Sequence, residues 1–191
     1  MPIGLSSTQL KGWHDKGLSY NEYLAQTPLK ASPWRDNDQR CELSASQQAL
    51  LSSFTRNMKV IVLSGVWCGD CSSQGPMLAA ISHGSDMIDL HWLDRDLASE
   101  LSNHLLINQG HRVPTVVFMA EDFEPVSVYG DRTLTRYRSM ATRQLGAACD
   151  IPGAVIPEDE FAATMQDWLD EFERVQLLLR LSARLRQKHG D

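Results

Sequence analysis

Cysteine is scarce: four in 191 residues, too few to staple a scaffold of this size with disulfides. Long apolar runs are missing too, and none approaches the length needed to cross a bilayer. Nor is there an excess of positive charge. The 18 Lys and Arg stand against 24 Asp and Glu, a net charge of −6, where a nucleic-acid surface would want a basic stripe. Met1 to Leu10 lack a basic segment followed by an apolar core, so no secretory signal is expected. Internal repeats and low-complexity tracts are absent, and the histidines do not fall in metal-ligand spacing. The composition that remains, 42% hydrophobic and 22% charged, is that of an ordinary globular chain. Its length suits one well-packed domain with additions. The expectation is a cytoplasmic protein with neither nucleic-acid nor membrane partners.

Against that scarcity, two of the four cysteines stand three apart in the stretch Lys59-Val60-Ile61-Val62-Leu63-Ser64-Gly65-Val66-Trp67-Cys68-Gly69-Asp70-Cys71. The apolar, β-branched run reads as a buried strand. Ser72 to Ile81 reads as a helix, which puts Cys68 and Cys71 at a strand-to-helix junction. Unpaired backbone N–H groups and the positive end of the dipole at a helix start stabilise a thiolate, the reactive form of cysteine. The spacing also lets the second thiol reach the first and close a disulfide. A C-x-x-C in this β-α setting is a redox signature.

Along the chain, a helix is expected from Thr8 to Asp15, then a short one after the capping box Ser19-Tyr20-Asn21-Glu22. Tyr20, Tyr23 and Leu24 would form its apolar side. Pro28, Pro33 and the polar run Arg35 to Arg40 read as a loop. A second capping box, Ser44 to Gln47, opens a helix to about Asn57, with Leu50, Leu51 and Phe54 facing inward. Pro76 should kink the helix that carries the cysteines. Met87 to Leu93 reads as a strand, Leu97 to Ile107 as a helix capped by Asp96, and Arg112 to Met119 as a strand with a proline near its start. Val126 to Tyr129 completes a hairpin. Asp131 caps a helix to Leu145 that stops at Gly146. Pro157 opens the last helix, whose apolar seam is Phe161, Met165, Trp168, Phe172, Val175 and Leu179. The order β, α, β, α, then a hairpin indicates an α/β fold with a mixed sheet flanked by helices. The division expected is a helical extension over 1–43, the α/β domain over 44–146, and a loop with an amphipathic helix over 147–191.

The motif Trp67-Cys68-Gly69-Asp70-Cys71, Pro76 five residues on, Val113-Pro114-Thr115 at a later strand start and Gly130 after the hairpin together resemble the thioredoxin superfamily. The match runs from about Lys59 to Gly130. The resemblance implies a thioredoxin-like fold, a cis Val113–Pro114 bond facing the cysteines, and a Val113 backbone that pairs with substrate. Two departures stand out. Asp70 occupies the place where familiar thioredoxins have proline, and Val62 the place of their buried carboxylate. Leu90 or His91 falls near the position of the family's partner lysine. The proton-transfer group that serves the second cysteine is therefore not visible.

The reading that follows is a thiol–disulfide oxidoreductase without cofactor or metal. Cys68 attacks a protein disulfide, and Cys71 resolves the mixed disulfide. A thioredoxin reductase or a small thiol would supply electrons. The alternative is a thioredoxin-fold binding or adaptor module with little redox turnover. A metal site is disfavoured because only one C-x-x-C is present where two are usually needed. Trp67 shields the disulfide and offers a flat apolar contact, or simply packs the loop. Gly69 and Asp70 modulate the pair. Asp70 would oppose the Cys68 thiolate and make the couple reducing, unless solvent screens it. Arg112 favours acidic substrates or is merely solvated. Cys41 and Cys149 could form a second disulfide, relay electrons from Cys71, or serve as small buried hydrophobes. The long seam of the last helix could pair two copies in a homodimer or dock on its own domain.

Overall fold

The computed structural model describes residues 4–145 and 157–191. Cys149, and Gly146, expected to stop a helix, lie outside the described residues. Nine α-helices and four strands are seen among the described residues. They are α1 (Ser7–His14), α2 (Tyr20–Ala25), α3 (Ser32–Asp38), α4 (Ala45–Ser52), β1 (Met58–Ser64), α5 (Gly69–His83), β2 (Ile88–Asp94), α6 (Ser99–His104), β3 (Thr115–Met119), β4 (Pro125–Gly130), α7 (Leu134–Leu145), α8 (Glu160–Leu181) and α9 (Ala183–His189).

The strands form one mixed sheet in the order β2-β1-β3-β4. β1 runs parallel to β2, with Met58 opposite Ile88 and Ser64 opposite Asp94. β3 returns antiparallel to β1, and β4 antiparallel to β3. The burial of β1 explains its sequence. Val60 to Leu63 are all buried, so both faces of the strand are covered and no polar alternation is needed. The parallel crossover from β1 to β2 is α5, which carries the cysteines.

Three serines set the helix starts in the first half of the chain. Ser6, Ser19 and Ser44 each accept from the N–H three residues on, and Gln9, Glu22 and Gln47 reach back to the cap N–H. The last two are the boxes legible in the sequence; α1 begins one residue before the expected Thr8. Tyr20, Tyr23, Leu24 and Leu51 are buried as anticipated.

Several boundaries move, each for a local reason. The stretch read as a loop contains α3. Pro33 sits in that helix's first turn, where its missing N–H leaves no intrahelical bond unmade. α4 stops at Ser52 instead of near Asn57, because Gln176 of α8 takes the next backbone groups. Its Oε1 accepts from Arg56 N at 2.9 Å and its Nε2 donates to Arg56 O at 3.0 Å. Asp94, rather than Asp96, accepts from the turn before α6, bonding the N–H groups of Asp96 and Leu97 at 2.8 and 3.3 Å. α6 itself is shorter than expected, Ser99–His104. β3 begins at Thr115, so Arg112, Val113 and Pro114 lie in the preceding loop. Asp131 does not cap α7, which starts at Leu134 with Thr135 N donating to Asp167 at 2.8 Å. α8 does not open at Pro157 but begins at Glu160, capped by Asp159.

Pro76 lies inside α5, so the Ser72 carbonyl loses its helical partner. Asn37 Nδ2 of α3 donates to that carbonyl at 3.0 Å. The unanticipated helix thus satisfies the acceptor that the helix proline orphans. Asn37→Ala leaves this part-buried carbonyl unpaired and is expected to cost about 1–2 kcal/mol, read as a lower urea midpoint with unchanged slope.

The seam of α8 is spent within the chain: Met165, Trp168, Phe172, Val175 and Leu179 are buried. Phe172 packs edge-on against Phe118 of β3, with ring centroids 5.0 Å apart. No described helix is long and apolar enough to cross a membrane.

Candidate active site: a dithiol at the start of α5

β1 ends at Ser64, and a short turn, Gly65 to Trp67, leads into α5. A Cβ on Gly65 would lie 2.7 Å from the Trp67 indole, so glycine here lets the ring fold back across the turn. Cys68 is the N-cap of α5, with Cys71 N donating to its Sγ at 3.4 Å. Cys68 is partly exposed, whereas Cys71 is fully buried. Both are free thiols.

The two sulfurs differ sharply in acidity. The hydrogen bond from the Cys71 thiol is the main cause that brings Cys68 down to about 6. Burial opposes this; the backbone N–H groups of Cys71 and Asp70 assist, and the charge of Asp70 works against them. Burial, reinforced by the neighbouring Cys68, holds the Cys71 thiol well above its ordinary range, with Ser64 and the Gly65 backbone pulling the other way. At neutral pH, then, one sulfur is a thiolate and its neighbour a thiol.

The loop before β3 faces Cys68. The Val113–Pro114 bond is cis, and the Cys68 thiol lies 3.6 Å from the Val113 carbonyl. Gly130 at the end of β4 closes against the same loop. Its φ is +151°, and a Cβ there would sit 2.4 Å from the Pro114 carbonyl oxygen.

Asp70 is neither solvated nor an unopposed negative charge. Arg132 and Arg136 both pair with it, Arg136 Nη2 at 3.0 Å. Burial raises its pKa, but the two guanidinium groups outweigh that and hold it below the usual carboxylate value. Arg132 also pairs with the buried Asp131 at 2.9 Å, and Arg112 reaches the same carboxylate at 3.4 Å. Arg112 is therefore tethered while still partly exposed. Trp67 remains 47% exposed, with the Arg95 guanidinium 4.6 Å from its ring centroid. Arg95 also donates to the His111 carbonyl at 3.1 Å.

α8 reaches the site through Gln74. This fully buried amide accepts from Trp168 Nε1 at 3.1 Å and donates to the Asp131 carbonyl at 3.2 Å. Arg95, Arg132, Arg136 and Gln74 had no signal in the local sequence, and Asp131 had one only as a helix cap. Their partners are distant in the chain, and only the folded topology brings them together.

Cys41 packs partly buried beside the core, and burial pushes its thiol up to about 11. Among the described residues, one group has metal-ligand proximity: His14, Asp89 and His91. The rings of His14 and His91 stack at 4.0 Å despite their distance in sequence. Lys59 Nζ already holds Asp89 at 2.8 Å, and His14 Nε2 lies 3.1 Å from the Asp89 carbonyl. These contacts account for the cluster as a clamp between α1 and β2.

The acidity of Cys68 sets a measurable profile. Its alkylation by iodoacetamide is expected to be half-maximal near pH 6. Asp70→Asn removes a negative charge while leaving both arginines, so the midpoint should move to lower pH. A midpoint at an ordinary thiol value would contradict this geometry.

A parallel β-α-β unit, an antiparallel hairpin, a C-x-x-C at the helix start and a cis proline opposite it define a thioredoxin-like fold with a dithiol site. The chain belongs to the thioredoxin family, whose sequence profile matches residues 17–144. Among solved structures it is similar to a protein of unknown function from Pseudomonas aeruginosa: 17% identity, TM-score 0.66, covering 89% of this chain and 98% of that one. It is also similar to an HIV epitope scaffold, at 15% identity and TM-score 0.60, covering 86% of this chain and 98% of that one. No curated protein matches the sequence.

Proposed function

We propose that the chain is a thiol–disulfide oxidoreductase that reduces protein disulfides through Cys68 and Cys71. The observation that carries this reading is the asymmetry of the two thiols: an accessible one with lowered pKa beside a buried one with raised pKa. Cys68 attacks a substrate disulfide as thiolate, forming a mixed disulfide and releasing the first substrate sulfur, which takes up a proton. Cys71 then attacks Cys68, closes the intramolecular disulfide and releases the second substrate sulfur. Two electrons pass from the dithiol to the substrate. A thioredoxin reductase or a small thiol restores the dithiol, in keeping with a reducing, cytoplasmic setting.

Substrate binding falls to Trp67, Val113, Pro114 and Arg112. The backbone of Val113 would pair with an extended substrate segment across Cys68. A homodimer through α8 would have to use Leu177, Leu178 and Leu181, which are exposed, because the main seam is buried within the chain.

The test is reduction of insulin disulfides with dithiothreitol as donor. Turnover well above dithiothreitol alone is expected. A rate equal to that background would favour the adaptor reading, which the absence of a carboxylate at Val62 also favours.

A further inference from the structure

Resolution of the mixed disulfide needs Cys71 as a thiolate, and Cys71 is the thiol least able to form one. It is fully buried, and an anion without hydrogen-bond donors is costly in such surroundings. The residue buried in β1 six places before Cys68 is Val62, which offers no polar group.

Two buried hydroxyls lie nearby instead. Ser64, the last residue of β1, is fully buried and lies within reach of the Cys71 sulfur. Tyr23 of α2 is 1% exposed and lies within reach of Ser64. Neither hydroxyl makes a well-formed hydrogen bond in the structure. A buried hydroxyl left unpaired costs about 1–3 kcal/mol, so packing alone would favour phenylalanine at position 23. The Tyr23 ring sits between Trp34 and Trp92, at centroid distances of 5.9 and 5.6 Å, contacts a phenyl ring would keep.

We infer that Ser64 and Tyr23 are positioning residues for the resolving step, with Ser64 donating to the Cys71 sulfur as it becomes anionic and Tyr23 donating to Ser64. The inference rests on the dithiol mechanism proposed above. In the step, Cys71 loses its proton and its sulfur attacks Cys68. The Cys68–Cys71 bond forms and the bond from Cys68 to the substrate breaks. The electron pair leaves on the substrate sulfur, which takes up one proton in place of the one released. The titratable groups around the pair are Cys68, whose charge opposes a second thiolate in the free dithiol but is gone once Cys68 is bonded to substrate, and Asp94 at the end of β2. Burial is the main obstacle to ionisation of Tyr23, and the carboxylate of Asp94 adds to it, which keeps the phenol a donor. The first attack, by Cys68, makes no use of either hydroxyl.

The experiment is stopped-flow reaction of the reduced chain, with Cys41 and Cys149 replaced by serine, with 5,5′-dithiobis(2-nitrobenzoate). Attack by Cys68 releases one nitrothiobenzoate, and attack by Cys71 releases the second. Tyr23→Phe and Ser64→Ala are expected to slow the second release about tenfold, to leave the first within about twofold, and to move the pH midpoint of the second upward. Because the hydroxyls act in series, the double variant should be no slower than Ser64→Ala alone. A second release at the parent rate in both variants, or equal slowing of both releases, overturns the inference. Absence of a second release in the parent chain would overturn the dithiol mechanism itself, a result separable from the other two.

Discussion

Cys68→Ser is expected to abolish insulin reduction down to the background set by dithiothreitol, while Cys71→Ser stops at an intermediate. Serine at position 68 keeps the N-cap, since its hydroxyl accepts from the same backbone N–H. The fold should therefore survive and the loss be chemical. A hydroxyl at neutral pH carries no anion comparable to a thiolate whose pKa lies near 6. Cys71→Ser is different in kind. It retains an accessible nucleophile but removes the sulfur that would release it, so turnover ceases while a mixed disulfide accumulates to about one per chain. The yield of that adduct, measured by mass before and after reduction, separates the two variants. The same variant exposed to cellular protein would name the substrates. Turnover retained in Cys68→Ser would move the chemistry elsewhere in the chain.

The Cys71→Ser variant carries a further consequence. The hydrogen bond from the Cys71 thiol is the leading cause of the lowered Cys68 pKa. A serine hydroxyl can still donate but is shorter than the thiol, so the Cys68 alkylation midpoint should rise part of the way toward that of an ordinary thiol. The two cysteines are thus coupled before any substrate arrives.

How legible was this site? The strand and the dithiol could be read because each is local, a β-branched run and a three-residue spacing, whereas the placing of Pro114 opposite the cysteines followed only from the family resemblance. Two of the helix starts follow from capping boxes four residues long, Ser19 to Glu22 and Ser44 to Gln47. The residues that set the chemistry around the sulfurs were not legible, because their partners are far apart in the chain. Asp70 looked like a charge opposing the thiolate. Its pairing with Arg132 and Arg136, across more than sixty residues, reduces that opposition. Asp131 looked like a helix cap by its position before α7. Burial beside Arg112 and Arg132 gives it a different role. The α3 segment failed for another reason. Two prolines and a polar run carry no apolar periodicity, and the helix has one buried residue, Trp34, which local patterning does not weigh.

Trp34→Ala is expected to be the most destabilising single change outside the sheet, at about 3–5 kcal/mol. Against a typical folding free energy of about 5–15 kcal/mol, that would bring a marginal domain close to its unfolding midpoint at room temperature. Trp34 is fully buried, touches Tyr20, Tyr23 and Trp92, and donates from Nε1 to the Val66 carbonyl at 3.1 Å. That last bond ties α3 to the turn that delivers Trp67 and Cys68. The indole also lies on α5 at Gly75, where a Cβ would come within 2.0 Å of the ring. Two opposing effects meet at Gly75. Alanine is better than glycine in a helix interior by about 1 kcal/mol, whereas overpacking a rigid buried ring costs about 1–3 kcal/mol. At 2.0 Å the ring must move and it has no room, so Gly75→Ala should destabilise. In a Trp34→Ala background the obstacle is gone, and the same substitution should become neutral or stabilising. A double-mutant cycle by urea denaturation measures the difference. Coupling near zero would mean that the indole does not rest on α5 and that the N-terminal helices do not brace the dithiol.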